Sequence, residues 1–161
     1  MRLLGCIVYM AVLGLGSHYL GEALPRDRFD PGSFPYSEFW WEKSGRVYKL
    51  LRVKKWKNKM PDASRYFKDM VPKRIIGMTS SENIEVLVKE TCVAEFTHYL
   101  LCVLSGGVCF IWKDGGGAVI WIISIVCNLV FVIIQRYNRP HLIKLADKLK
   151  IREERLKVCA Y

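Results

Sequence analysis

The sequence predicts an all-α integral membrane protein, and three observations carry that prediction. Apolar stretches over 3–20, 93–112 and 118–135 are each long enough to cross the hydrocarbon of a bilayer as a helix. The chain is 52% hydrophobic and 25% charged, with the two kinds of residue segregated along its length. The net charge of +10 comes from 25 Lys and Arg against 15 Asp and Glu. Of the basic residues, 15 lie between Arg26 and Lys89 and eight between Arg136 and Lys157; only Arg2 and Lys113 fall elsewhere.

Charge placement sets the expected orientation. Loops rich in Lys and Arg stay on the cytosolic side. A first span with its N-terminus outside puts both basic segments in the cytosol and the sparse 113–117 turn outside. The competing reading of 3–20 is a signal peptide cleaved near Gly21-Glu22-Ala23. That would export the segment with the 15 basic residues, against the charge rule. The expectation is one membrane domain over 1–161, with three transmembrane helices, a basic and aromatic-rich cytosolic segment over 26–92, and a C-terminal amphipathic tail over 140–158.

Within the cytosolic segment Pro25, Pro31, Gly32 and Pro35 mark an irregular entry. Phe39, Trp40, Trp41, Tyr48 and Trp56 then alternate with Lys43, Arg46, Lys49, Arg52, Lys54, Lys55 and Lys57. A nucleic acid would accept such a pattern. Beside membrane spans the headgroup layer fits better, because Trp and Tyr favour it and Lys and Arg favour anionic lipid. Membrane lipids are therefore the expected partner and nucleic acid is not. Ser80 or Ser81 is placed to cap a helix with Glu82 and Glu85 in its first turn, running on into the second span. Gly115-Gly116-Gly117 forms the next turn, and Pro140 is expected to end or kink the third span. Beyond it Leu142, Leu145, Leu149 and Ile151 alternate with Lys144, Lys148, Lys150 and Arg152, a basic amphipathic pattern suited to a membrane surface. The six cysteines show no CxxC or other metal spacing, so neither a metal site nor structural disulfides are expected.

The polar residues inside the apolar stretches are the functional signal. Ionisable groups at membrane depth cost roughly 2.5–3.5 kcal/mol each on insertion scales and so tend to mark sites. Thr91, Glu95, His98 and Cys102 share one helix face, so Glu95 and His98 are within reach of each other. Ser124, Asn128, Phe131 and Gln135 share a face on the third span, which runs into Arg136, Tyr137, Asn138 and Arg139. Topology brings both sets to the cytosolic end. Each residue also has a structural reading: Glu95–His98 and Asn128 as interhelical hydrogen bonds, the arginines as groups reaching for headgroups, Cys102 as packing. Read together they form a site. Glu95 would orient His98, His98 would take a proton from a hydroxyl, and Asn128 and Arg136 would stabilise developing charge. Lys55, Lys57, Arg136 and Arg139 are expected to line one basic surface beside them, suited to an anionic soluble donor. The residues by themselves support group transfer to a lipid and no finer statement.

Four motifs then carry a resemblance. They are Glu42-Lys43-Ser44-Gly45, Lys55-Trp56-Lys57-Asn58-Lys59-Met60-Pro61-Asp62, Glu90-Thr91-Cys92-Val93-Ala94-Glu95-Phe96-Thr97-His98, and Asn128 followed by Gln135-Arg136-Tyr137-Asn138-Arg139-Pro140. In that order the chain resembles the glycosyl-4,4'-diaponeurosporenoate acyltransferase family, which performs the final acyl transfer of staphyloxanthin synthesis. His141 departs from the arginine expected there. The resemblance implies an integral membrane O-acyltransferase, placed by expectation in a bacterial cell membrane; the charge rule puts its C-terminus in the cytosol. It would esterify a sugar hydroxyl of a membrane glycolipid such as a glycosylated carotenoid. No cofactor is expected, and the basic, cytosol-facing site suits acyl-CoA or acyl carrier protein as donor substrate. From their chemistry, Lys55, Trp56, Lys57, Asp62, Gln135, Asn138 and Arg139 are the expected substrate-binding residues. Two rival readings stay open on the residues alone. One is a non-enzymatic membrane module that binds anionic lipid or a partner membrane protein. The other is a different prenyl-lipid enzyme such as a methyltransferase; the lack of a GxGxxG motif mildly disfavours a Rossmann-type donor domain.

Overall fold

The fold is that of a computed structural model describing residues 1–42, 45–59 and 80–159. Among these residues there is no strand. The helices are α1 (Arg2–Ala23), α2 (Arg46–Leu50), α3 (Val53–Trp56), α4 (Ser81–Leu104), α5 (Val108–Ile111) and α6 (Gly116–Cys159), with single 3₁₀ turns at Arg26–Arg28, Lys57–Lys59 and Ser105–Gly107. Three helical stretches are long and apolar enough to cross a membrane: Arg2–Ala23, Ser81–Ile111 and Gly116–Val158. The chain divides into two compact units, 1–29 with 92–135 and 30–91 with 136–161. The helices α4 and α6 contribute to both.

In the first unit α1 packs against α5. Only Cys6 of α1 is buried, while Leu3, Leu4, Ile7, Val8, Val12 and Leu15 are exposed, as expected of a helix that faces lipid. The second span is interrupted where α4 tightens into the Ser105–Gly107 turn. Such a change leaves carbonyls without their usual helical donors. Side chains supply the replacements. The Tyr9 hydroxyl donates to Leu104 O at 2.8 Å, Trp121 Nε1 to Cys102 O at 2.9 Å, and Ser105 Oγ to Cys102 O at 3.2 Å. Gly106 and Gly107 leave room for this approach, since a Cβ on Gly107 would overlap the Tyr9 hydroxyl. The turn after α5 closes through Gly115, whose φ of +85° suits glycine. Gly116 and Gly117, expected in the turn, are the first residues of α6.

In the second unit the first turns of α4 run antiparallel to the last turns of α6. Ile84, Leu87 and Ala146 form a buried cluster, with Leu142, Leu145 and Leu149 packed against it. Ser80 Oγ accepts from Asn83 N at 3.4 Å, which makes Ser80 the cap. Ser81 N and Oγ bind the Glu153 carboxylate at 2.8 and 2.7 Å, and Lys150 pairs with Glu85.

This arrangement corrects two expectations. Pro140 neither ends the third span nor begins a separate tail, because α6 is one helix of 44 residues with Pro140 inside it. Proline deprives the carbonyl four residues back of its donor. Arg136 and Arg139 before the proline, and the three leucines after it, are each anchored by contacts to other parts of the unit. His141 Nδ1 donates to Tyr137 O at 2.9 Å, beside the break. The second correction concerns the leucine row at 142, 145 and 149. It is covered by Ile84 and Leu87 of α4, and Ile151 alone of the expected apolar face is exposed.

Candidate functional site

In the first unit a polar cluster is built on facing turns of α4 and α6. Asn128 fixes its chemistry. Its Nδ2 donates to Ser124 O at 2.9 Å and approaches Ser124 Oγ at 3.3 Å. A carbonyl oxygen only accepts, so the amide orientation is set and Oδ1 faces the other way. That oxygen lies 2.8 Å from His98 Nδ1. Nδ1 must therefore carry the proton, and in the neutral ring the lone pair sits on Nε2. The imidazole also stacks on Phe131, with ring centroids 4.9 Å apart and planes within 5°. Two contacts from α6 thus hold both the tautomer and the tilt of a half-buried ring. Glu95, one turn earlier on α4, is wholly buried.

The second unit holds a different cluster, centred on Glu42 and Arg136. Arg136 Nε donates to Glu42 Oε1 and Nη2 to Oε2, each at 2.8 Å, a two-pronged ion pair. Arg136 Nη1 donates to Pro35 O at 2.9 Å and Nη2 to Ser37 O at 2.8 Å, with the Phe39 ring 4.2 Å from the guanidinium. Glu42 also accepts from the Tyr48 hydroxyl and from Phe39 N at 2.6 Å. Burial alone would raise the Glu42 carboxyl, but the hydrogen bonds from Arg136, Tyr48 and Phe39 outweigh it and hold the group below its ordinary value. Burial, and then Glu42, push the Tyr48 phenol well above the usual range. Arg139 donates from Nε to Thr91 Oγ1 at 2.9 Å, from Nη2 to Thr91 O at 3.1 Å, and from Nη1 to Tyr36 O at 2.5 Å.

A third group lies in the same unit. Lys57 Nζ donates to Asn138 Oδ1 at 2.8 Å and sits 4.7 Å from the centroid of the Tyr137 ring. Burial, and then the neighbouring Lys54, lower its affinity for the proton.

Of the residues expected to act together, His98 meets Asn128 and Lys57 meets Asn138. Asn128, expected to stabilise developing charge, hydrogen-bonds His98 through Oδ1 and Ser124 through Nδ2. Arg136 and Arg139 do not form an open basic surface. They are 6% and 3% exposed, and the N–H groups described above point at protein acceptors. The physical reason is that guanidinium groups near a sheltered helix face find carbonyls and a carboxylate before they find solvent. Lys55 is exposed, and Trp56 Nε1 donates to Leu51 O at 3.0 Å. Gln135 is buried, with its Oε1 accepting no hydrogen bond from the described residues. Asp62 lies outside the described residues.

Sequence reasoning missed Glu42 and Tyr48 as members of a site. The available signal was a lone acid in the first resembling motif, set in a strongly basic and aromatic stretch. Periodicity could not reveal its partner, because Glu42 and Arg136 are 94 positions apart.

The sequence model of a family described as glycosyl-4,4'-diaponeurosporenoate acyltransferase matches residues 32–148. A protein of that name from Staphylococcus aureus (strain bovine RF122 / ET3-1) is 30% identical over 154 residues, covering 93% of this chain and 91% of its own length. Proteins of the same name from strains N315 and MRSA252 are each 29% identical with the same coverage. No solved structure matches. The match takes in both clusters, from Tyr36 and Glu42 to His98, Asn128 and Arg139. The chain belongs to the glycosyl-4,4'-diaponeurosporenoate acyltransferase family and is an acyltransferase.

Proposed function

We propose that this acyltransferase is a membrane O-acyltransferase. It moves a fatty acyl group from a soluble thioester, acyl-CoA or acyl carrier protein, to a sugar hydroxyl of a membrane glycolipid. The acceptor suggested by the relatives' name is a glycosylated carotenoid. The observation that carries the reading is the 2.8 Å contact between His98 Nδ1 and Asn128 Oδ1, which leaves Nε2 as the basic nitrogen. In the proposed step the acceptor hydroxyl oxygen attacks the thioester carbonyl carbon. The C–O bond forms, the C–S bond breaks, and the hydroxyl proton passes to His98 Nε2 and then to the departing thiolate. Asn128 and Phe131 are positioning residues. Glu95, wholly buried one turn before His98 on the same helix, is a further positioning residue in this reading. Arg136, bound on two sides by Glu42 and backbone carbonyls, ties down the 35–42 segment, a role distinct from charge stabilisation at the reacting atoms.

The proposed orientation has the N-terminus outside and both basic segments cytosolic. Its support is the distribution of Lys and Arg around the three apolar helices. Lys55 and Lys57 are then on the side where a soluble anionic donor arrives. Lipid mass spectrometry of cells with and without the protein tests the reading. The expected result is a fatty-acyl mass increment on one glycolipid class, lost on His98→Ala. An acyl increment that persists in His98→Ala cells would remove His98 as the base.

A further inference from the structure

Lys57 is placed unlike the other lysines of its segment. Lys54, Lys55 and Lys59 are exposed, whereas Lys57 is half-buried. An ammonium has three N–H groups and no acceptor. One is donated to Asn138 Oδ1, and the charge lies against the Tyr137 ring. Neither neighbour is negative. Among the described residues no carboxylate pairs with Lys57, while Lys54 adds a second positive charge nearby. Removing a cation from water beside a like charge is unfavourable until an anion arrives. Tyr137 is itself held, edge-on to Tyr48 at 6.1 Å and tilted against His141 at 4.8 Å, so the seat is built rather than loose. The contact also joins two of the motifs on which the family resemblance rests.

We propose that Lys57, supported by Asn138 and Tyr137, is the seat for the phosphate of a phosphopantetheine-bearing acyl donor. The inference rests on the proposed use of a soluble thioester. A compact ammonium that gives one of its three N–H groups to the described residues is a phosphate ligand by its chemistry. The phosphopantetheine phosphate is common to acyl-CoA and acyl carrier protein, so one seat serves either source. Asn138 and Tyr137 fix where the ammonium points.

The test uses the full chain in detergent micelles, with binding measured directly by calorimetry. The probes are 4'-phosphopantetheine and pantetheine, which differ only in the phosphate. The unmodified protein should bind the phosphorylated probe about ten- to a hundredfold more tightly. Lys57→Met should abolish that preference, Lys57→Arg should retain most of it, and Lys49→Met, at an exposed lysine, should leave it intact. In turnover assays Lys57→Met should raise the donor KM by a similar factor with little change in kcat. The arm that responds, acyl-CoA or acyl carrier protein, identifies the source. If Lys57→Met does not fold, Asn138→Leu, which frees the ammonium from its tether, should weaken the same preference. Equal binding of the two probes by the unmodified protein would overturn the proposal. So would loss of phosphate preference on adding phosphatidylglycerol, which would assign the seat to a lipid headgroup. Absence of acyl transfer from either donor would sink the proposed function, while the binding measurement would still decide the seat.

Discussion

Arg136 and Glu42 meet through two hydrogen bonds of 2.8 Å although 94 positions separate them, and both side chains are almost wholly buried. The guanidinium also gathers the carbonyls of Pro35 and Ser37, and the carboxylate gathers Tyr48 and Phe39 N. One pair therefore organises the irregular segment that precedes α2. Removing one partner of such a pair strands the other charge in a sheltered site, which destabilises by about 3–5 kcal/mol. Glu42→Ala should lose about that much in denaturant unfolding from mixed micelles. The double variant Glu42→Leu with Arg136→Met should lose clearly less. Equal losses would show that the pair is more exposed than its hydrogen bonds imply.

The same carboxylate predicts a pH dependence. Its folded-state pKa lies below the ordinary 4.5. The stabilisation is therefore fully present above the unfolded value and is lost as pH falls through the lower folded value. Between pH 5 and pH 3 the protein should lose stability more steeply than a Glu42→Gln variant does. Unfolding midpoints measured in parallel supply the comparison, and identical slopes would contradict it.

His98 and Asn128 make separable predictions for catalysis. Loss of the base in His98→Ala should lower kcat by about 10²- to 10⁴-fold. Asn128→Leu removes one orienting hydrogen bond and should cost about three- to tenfold. Nitrogen NMR of labelled histidine reads the tautomer directly. The unmodified protein should show the proton on Nδ1, and Asn128→Leu should mix the tautomers. A proton resident on Nε2 would reverse the base assignment.

Packing at the start of α6 can be tested at Gly117. A Cβ there would lie 2.5 Å from Val108 O, 2.7 Å from Trp112 O and 2.8 Å from Cys109 Cα, all backbone. Backbone cannot swing aside, so Gly117→Ala should cost about 1–3 kcal/mol. A Cβ on Gly14 of α1 meets nothing within 4 Å. Gly14→Ala should be neutral or stabilise by up to about 1 kcal/mol through helix propensity. Thermal unfolding of the two variants checks the contrast.

The proposed orientation yields a labelling prediction. In a background lacking the native cysteines, an impermeant thiol reagent applied outside intact cells should reach Lys113→Cys and miss Lys55→Cys. Both positions are exposed in the fold, so failure to label reports the side of the membrane. The reverse pattern would invert the topology.

By itself the sequence determined the three long apolar helices. Hydrophobic length and charge segregation are local properties, so the three apolar helices and the cap at residue 80 or 81 are legible without any contact. Helical periodicity likewise placed Ser124, Asn128 and Phe131 on one face and His98 on another helix. Tertiary structure decided the partners. A leucine row reads the same whether lipid or another helix covers it, and only folding showed Ile84 and Leu87 over Leu142, Leu145 and Leu149. Proline's tendency to end a helix is a local preference, and the contacts on both sides of Pro140 overrode it. Arginine chemistry is equally ambiguous, because the same five N–H groups serve a substrate or a buried carboxylate. What assigned Arg136 to Glu42 and Arg139 to Thr91 was proximity between distant positions, which periodicity does not encode.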